Sequence, residues 1–386
     1  MPERMLKILI TDPHLAGGGQ VTYVTRLAEA LTRMGHEVTL GCRPGSILAQ
    51  RAVEAGCAGH HEFGFRGGLR PQSWFSDLAG MRQYMAERKP DIVHANGSQD
   101  HWVSALANRS LGRPVCIVRT RHNTYPVKDN RPNRWLNRNN TDYQIVVCDV
   151  VRRTLAQQRT FVASRMCTIH NGVDIEQFRP DAEARKAARE EFGYDSHHVV
   201  CGIAARLVSD KGHEFLFRAA AQVKEAHPEL RILVLGQGVL EGHLRTMVKT
   251  LGLEPMVCFA GFREDMAYCT QAFDIGVLPS IGCDTSSFSL KEEMAAEKPI
   301  IASDYGGLKE IITDGVDGLV VPTGSVQPLA SALRRLLQDP EARRRMGETG
   351  RRRVQREFSL DIFAERSLAA YHRALDAHRE TTGRRA

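Results

Sequence analysis

The chain twice runs through a series of short apolar segments, each followed by a turn and an amphipathic helical stretch. That repetition restricts it to layered α/β folds. The first series opens with "LKILITD", then "PHLAGGGQ", then a stretch in which Val24, Leu27, Ala28 and Leu31 recur at helical spacing. "GHEVTL" starts the next strand. Strand, glycine-rich turn, helix and strand make a βαβ unit, whose strands pair in parallel beneath helices. "PDIVHANG", "PVCIVRTRHN" and "YQIVVCD" read as further buried strands.

A second series begins near Val199. "VVCGIAARL" and "LRILVLGQG" read as strands, each followed by a helical run, with Phe215, Ala219 and Val223 on one face of the first. "MVCFAGF", "FDIGVLPS", "KPIIASD" and "GLVVP" read as four more. At 386 residues, two domains are expected rather than one core. The expected division is a Rossmann-like domain over 1–178, a second over 179–360, and a helix over 361–386 packing back toward the first. A charged helical stretch around Asp181 to Glu191 separates the two series. Ligands of open parallel sheets bind beyond the carboxyl ends of the strands, so two such domains facing each other make a cleft lined by strand ends.

No apolar run approaches the roughly 18 residues of a membrane helix, and "MPERMLKILITD" lacks the apolar core of a signal peptide. A cytoplasmic protein is expected. The nine cysteines are scattered and form no CxxC pair, which points to free thiols rather than a disulfide framework or zinc site. Net charge is +7. Between Arg109 and Arg165, twelve Lys/Arg stand against Asp129, Asp142 and Asp149, a local excess of +9. Such a stretch suits an anionic partner or a solvated basic face.

Gly17, Gly18 and Gly19 lie between the first strand and its helix, where backbone N–H groups can approach a phosphate or sugar oxygen. A plain tight turn would use the same residues. "GGGQVT" does not complete GxGxxG, and Gly41 stands where a ribose-holding acid would follow the second strand. "GQGVLEGH" (236–243) has the wrong glycine spacing and reads as turn chemistry. In "AARLVSDKGHEFL", Arg206 lies at a strand end and Lys211 just before a helix, two cations suited to a diphosphate. Asp284 and Glu292 stand eight positions apart. Within one helix that spacing spans about 12 Å. With Asp284 in a loop and Ser287 or Ser289 capping the helix, both acids can line one ligand, and free helix N–H groups can meet a phosphate. Glu292 and Glu293 also fit as first-turn acids favoured by the helix dipole.

These segments resemble the retaining glycosyltransferases of family 4, from Leu6 to about Tyr371. "IHNGVDIEQFRP" is similar to the family's interdomain segment, "GIAARLVSDKG" to its diphosphate loop, and "DTSSFSLKEEMAAEKPIIASDYGG" to its E-x7-E motif. The resemblance implies the GT-B fold: two Rossmann-like domains with parallel sheets facing across a cleft. It implies that Glu292 holds the ribose of a UDP- or GDP-sugar, and that Arg206 and Lys211 neutralise the diphosphate. Phe262 and Arg263 would flank the base, Ser287 and Phe288 would offer N–H groups, His122 would sit near the donor sugar, and Gly17 and Gly18 would form the loop facing donor and acceptor. Asp284 departs from the family's usual Glu, keeping the charge with one methylene less reach.

No DxD motif calls for a metal and no cofactor is expected beyond the donor. The resemblance implies a retaining, same-face transfer in which the leaving phosphate oxygen takes the acceptor's proton. In "RPNRWLNRNN", Arg131, Arg134 and Arg138 surround Trp135 and Leu136. That grouping suits an anionic bilayer, a glycan or lipid-linked acceptor of lipopolysaccharide type, and a place at the inner face of the cytoplasmic membrane. His60/His61 and His197/His198 read as surface pairs. An NAD-dependent oxidoreductase, a GT-B epimerase or phosphorylase, and a nucleic-acid-binding protein are the other readings. Few aromatics and no binding module argue against nucleic acid.

Overall fold

The computed structural model describes residues 4–66, 68 and 71–383. The chain forms two compact units: Met1–Gly172 with Leu360–Ala386, and Val173–Ser359.

The first unit holds seven strands: β1 (Lys7–Asp12), β2 (Glu37–Cys42), β3 (Gly59–Glu62), β4 (Ile92–Ala95), β5 (Cys116–Arg121), β6 (Tyr143–Val146) and β7 (Met166–Thr168). Their order is β3-β2-β1-β4-β5-β6-β7, every pair parallel. β4 and β6 are buried throughout, and β1 and β5 at all but one end residue each, as sheets covered on both faces require. The edge strands β3 and β7 carry no apolar alternation. "GHHE" exposes both histidines, so His60 and His61 are the surface pair expected, carried on an edge strand.

The last helix, Leu360–Thr382, buries Phe363, Ala364, Leu368, Tyr371 and Ala374. Its Tyr371 hydroxyl lies 2.8 Å from His94 Nδ1, and His94 Nε2 lies 2.6 Å from Thr120 Oγ1. Tyr23 closes the chain at 3.1 Å from the same hydroxyl. Burial presses the His94 pKa down to about 3, so the ring is neutral.

The second unit holds β8 (Val199–Ala204), β9 (Leu230–Leu235), β10 (Val257–Gly261), β11 (Ile275–Leu278), β12 (Ile300–Ser303) and β13 (Gly318–Val321). Their order is β10-β9-β8-β11-β12-β13, again parallel. One face packs on the helices His213–Val223 and Val326–Gln338, the other on Phe288–Ala295. Gly202 in β8 is forced by packing: a Cβ there would lie 2.1 Å from the Phe273 ring.

Candidate active site

Strand order in the second sheet reverses between β8 and β11, which are adjacent. The crevice at such a switch point is where doubly wound sheets take ligands. The loop after β8 carries Arg206 and Lys211. The loop after β11 carries Asp284, and the helix Phe288–Ala295 that follows carries Glu292.

Backbone bonds tie the two loops. The N–H groups of Ile281 and Gly282 donate to the Asp210 carbonyl at 2.8 and 3.2 Å. Lys211 Nζ donates to Asp284 Oδ2 at 2.8 Å, and the Ser280 hydroxyl donates to the same oxygen. Gly212 has φ +71°, and a Cβ there would lie 2.0 Å from the Pro279 carbonyl oxygen. Only glycine meets both demands. Gly236, which the spacing reads as turn chemistry, is also needed for packing. A Cβ there would lie 2.1 Å from the Ala205 oxygen, so its absence seats the β9 loop against the Arg206 loop.

Ser287 caps the helix, its Oγ accepting from Leu290 N–H at 3.4 Å. Glu292 is buried, and Asp284 is 6% exposed. Arg206 is exposed, and no described residue pairs with its guanidinium. Two neighbours have a place that the local sequence does not show. Lys291 is fully buried, its Nζ donating to Ser286 Oγ at 2.7 Å. Glu293 is buried with Oε2 unpartnered, and a Cβ at Gly276 would lie 2.0 Å from that oxygen. Burial, reinforced by Glu292, lifts the Glu293 pKa well above the carboxylate range, so it is a neutral acid beneath the sheet. Lys291, Glu292 and Glu293 fall in the helix's second turn, so the two acids are not the first-turn, dipole-favoured pair the sequence allowed. "KEE" ordinarily signals a solvated face, and helix packing on both sides of this sheet overrides that signal.

Phe262 is exposed after β10. Arg263 beside it is held by Asp265 at 2.6 and 2.8 Å and by Glu191 at 2.5 Å, pairings that raise its pKa. Phe288 lies 5.8 Å from the Lys291 ammonium.

In the first unit, Gly17 and Gly18 lie in the loop after β1, Gly18 immediately before the helix Gly19–Arg33. His122 follows β5. Its Nε2 is 2.9 Å from Asn96 Oδ1, and its ring meets Tyr23 edge-on at 4.6 Å. The Asn96 amide donates to the Thr11 and His94 carbonyls, so its oxygen accepts the Nε2 proton. Burial and Arg119 push the His122 pKa far down, leaving a neutral ring with Nδ1 unprotonated.

The basic segment is tied into the fold. Arg134 forks onto Asp129 at 2.7 and 3.0 Å, and Arg138 donates to the Phe161 carbonyl at 3.3 Å. Trp135 stacks on Trp102 at 5.8 Å. Leu136 is 4% exposed and is core, not a surface residue; Arg131 is exposed. His198 is also buried, its Nδ1 accepting the Asp195 N–H at 2.9 Å, so the expected surface pair reduces to His197. Among the described residues, no helix is long and apolar enough to cross a membrane.

Two Rossmann-like units with this switch-point arrangement define the GT-B class. The model of the glycosyl transferases group 1 matches residues 184–353, and that of glycosyltransferase family 4 matches 17–177. The chain belongs to this GT-B glycosyltransferase family. It is 34% identical over 205 residues to a GDP-mannose-dependent monoacylated alpha-(1-6)-phosphatidylinositol monomannoside mannosyltransferase of Corynebacterium glutamicum, covering 51% of this chain and 53% of that one. At 30–34% identity the matched span is about half the length of each relative. A D-inositol 3-phosphate glycosyltransferase of Saccharomonospora viridis is 28% identical, covering 94% of this chain and 91% of its own. The fold is similar to that of Anabaena HepE in complex with UDP, at TM-score 0.82 and 19% identity, covering 94% and 99% of the two chains.

Proposed function

We propose that the protein is a retaining glycosyltransferase that moves a sugar from a nucleoside-diphosphate sugar to a hydroxyl acceptor in cell-surface glycan, lipopolysaccharide or glycolipid assembly. The observation that carries this reading is the meeting of the Arg206–Lys211 loop with the Asp284 loop and the Glu292 helix at one switch point. Glu292 accepts the ribose hydroxyls. Arg206 and Lys211 stabilise the diphosphate as negative charge develops on it, with the amides near Ser287 and Phe288 facing the outer phosphate or the sugar. Asp284 faces the donor sugar with Gly17 and Gly18, and Phe262 and Arg263 flank the base. The anomeric C–O bond to phosphate breaks as the acceptor oxygen bonds to the same face, and the acceptor's proton goes to the departing phosphate oxygen. His122, its ring neutral, lies near the donor sugar.

Residues 179–360 hold the donor and 1–178 the acceptor, with Arg131, Arg134, Trp135 and Arg138 near a lipid-linked acceptor at the inner membrane face. A UDP complex of a protein of the same fold supports a nucleotide-sugar donor, UDP or GDP. The broken glycine fingerprints and Gly41 disfavour an oxidoreductase. The test is thermal stabilisation by UDP and GDP against NAD, followed by acceptor-dependent turnover of UDP- and GDP-sugars with the product's anomeric configuration read by NMR. Stabilisation by NAD alone would overturn the reading.

A further inference from the structure

The first unit contains a cavity of about 260 Å³ that the donor reading does not use. Its lining includes Ser98, His101, Arg119, Arg121, Lys128 and Asn133. It is smaller than the roughly 300–1,000 Å³ of pockets that enclose a whole organic ligand. That size suits one polar group of a larger molecule.

Its charge is one-sided. Arg119, Arg121 and Lys128 line it and no carboxylate does. Arg119 and Arg121 alternate with Thr120 on β5, so both stand on one face of the sheet while Thr120 bonds Tyr23 and His94 on the other. Arg119 is only 7% exposed, yet its Nε and Nη1 have no hydrogen-bond partner. Arg121 Nε is also buried and unpartnered. Buried guanidinium N–H groups are ordinarily satisfied; here the two arginines line the opening while these nitrogens lie just beneath its surface with their hydrogen-bonding capacity unused. Burial lowers the Arg119 pKa, and the carboxylates of Asp100 and Asp12 behind it partly oppose that. Asp100 forms no ion pair with it, its Oδ2 taken by Thr11, Asn96 and Gly97 and its Oδ1 without a partner. The helix Ser98–Ser110 begins at the cavity with Ser98, its positive end toward it. His101 adds no charge: Thr141 donates its hydroxyl proton to Leu136, so it accepts from His101 Nε2, and burial keeps that ring neutral.

We propose that this cavity is a phosphoryl-binding subsite for the acceptor, formed by Arg119 and Arg121 with Lys128 at its mouth. Three cations from a strand and a separate loop surround a tetrahedral dianion better than a flat carboxylate, and each guanidinium offers a fork to phosphate oxygens. The assignment rests on the glycosyl-transfer reading only for the word acceptor; the phosphate chemistry stands on the cavity alone. The phosphoryl group belongs to a phosphorylated polyol or to a phospholipid headgroup.

The test is titration of the full chain with inorganic phosphate, followed by calorimetry in saturating UDP so that the nucleotide pocket is filled. Saturable binding is expected, weakened at least about tenfold by Arg121→Gln and by Lys128→Gln, the worth of one charge-assisted bond. The UDP-induced thermal shift should stay unchanged in both. Arg119→Met, whose fold is checked by circular dichroism, should abolish phosphate binding. Glycerol 3-phosphate and phosphatidylglycerol vesicles distinguish the sources: whichever loses affinity in Arg121→Gln names the carrier. Binding of phosphate equal in all variants, no saturable binding, or preference for glucuronate over phosphate would each overturn the subsite. Loss of UDP stabilisation in the unaltered protein would instead sink the donor reading and leave the cavity's chemistry standing.

Discussion

Lys211 Nζ and Asp284 Oδ2 lie 2.8 Å apart, joining two loops 73 positions distant in the chain. The cation assigned to the diphosphate and the acid assigned to the donor sugar therefore hold each other. Each fixes the other's rotamer, so on the proposed mechanism the ammonium is already ordered before charge develops on the leaving group.

Replacing Lys211 with Met should lower kcat/KM by roughly 10²–10³, the usual loss on removing one preorganised charge partner in a site. Asp284→Asn should lose turnover while retaining much of the UDP-induced thermal shift, because Glu292 rather than Asp284 is placed on the ribose. Steady-state kinetics and melting curves with UDP separate the two effects. Equal loss of UDP binding in Asp284→Asn and Glu292→Ala would contradict the division of labour.

Gly212→Ala should destabilise the protein by more than the 1–3 kcal/mol typical of overpacking, because the new Cβ meets a carbonyl oxygen at 2.0 Å and φ is +71°. Gly242→Ala, with nothing within 4 Å, is the matched control and should be near neutral. Denaturant midpoints of the two variants report the difference.

Glu293→Gln should stabilise the protein at pH 8 and change little at pH 4. The folded-state pKa of Glu293 is raised, so folding is unimpaired while the unfolded chain is also protonated, and stability is lost as pH rises above the ordinary carboxylate range. The amide removes that dependence. Melting temperatures across this range, unaltered protein against variant, show it as a narrowing gap on acidification.

Acid should act in the opposite direction through the buried histidines. The pKa of His94 is pushed down to about 3 and that of His213 to about 4, mainly by burial. Their stabilising contribution is complete above the unfolded value near 6.5 and is lost as pH falls toward the folded values. Each should contribute a slope on the order of 1 kcal/mol per pH unit between those limits. His94→Gln should flatten the curve below pH 6 while lowering stability at pH 7, since its bonds to Thr120 and Tyr371 are disturbed.

Much of the site is legible from local pattern. The Ser287 cap, the loop position of Asp284 and the strand-end position of Arg206 follow from periodicity and turn chemistry within a few residues. The pairing of Lys211 with Asp284 does not, because it depends on β8 and β11 becoming neighbours through a crossover that local spacing cannot encode. The edge strand "GHHE" is invisible to a search for apolar alternation, since its neighbour β2 supplies the pairing and solvent takes its side chains. Leu136 misleads for the converse reason: flanking arginines suggest an exposed segment, while Arg138 bonds the Phe161 carbonyl, Arg134 pairs with Asp129 at the surface, and the leucine between them turns into the core. Arg119 and Arg121 read as part of a general basic excess, and only β5 alternation with burial sets them apart.

The helix Leu360–Thr382 belongs to the unit whose strands all precede Gly172. During synthesis, that sheet therefore waits, with the places of Phe363 and Tyr371 vacant, until the whole of Val173–Ser359 has been made. A gene fragment ending at Gly172 would yield a sticky half-product, and a frameshift after Ser359 would damage a sheet encoded far upstream of it.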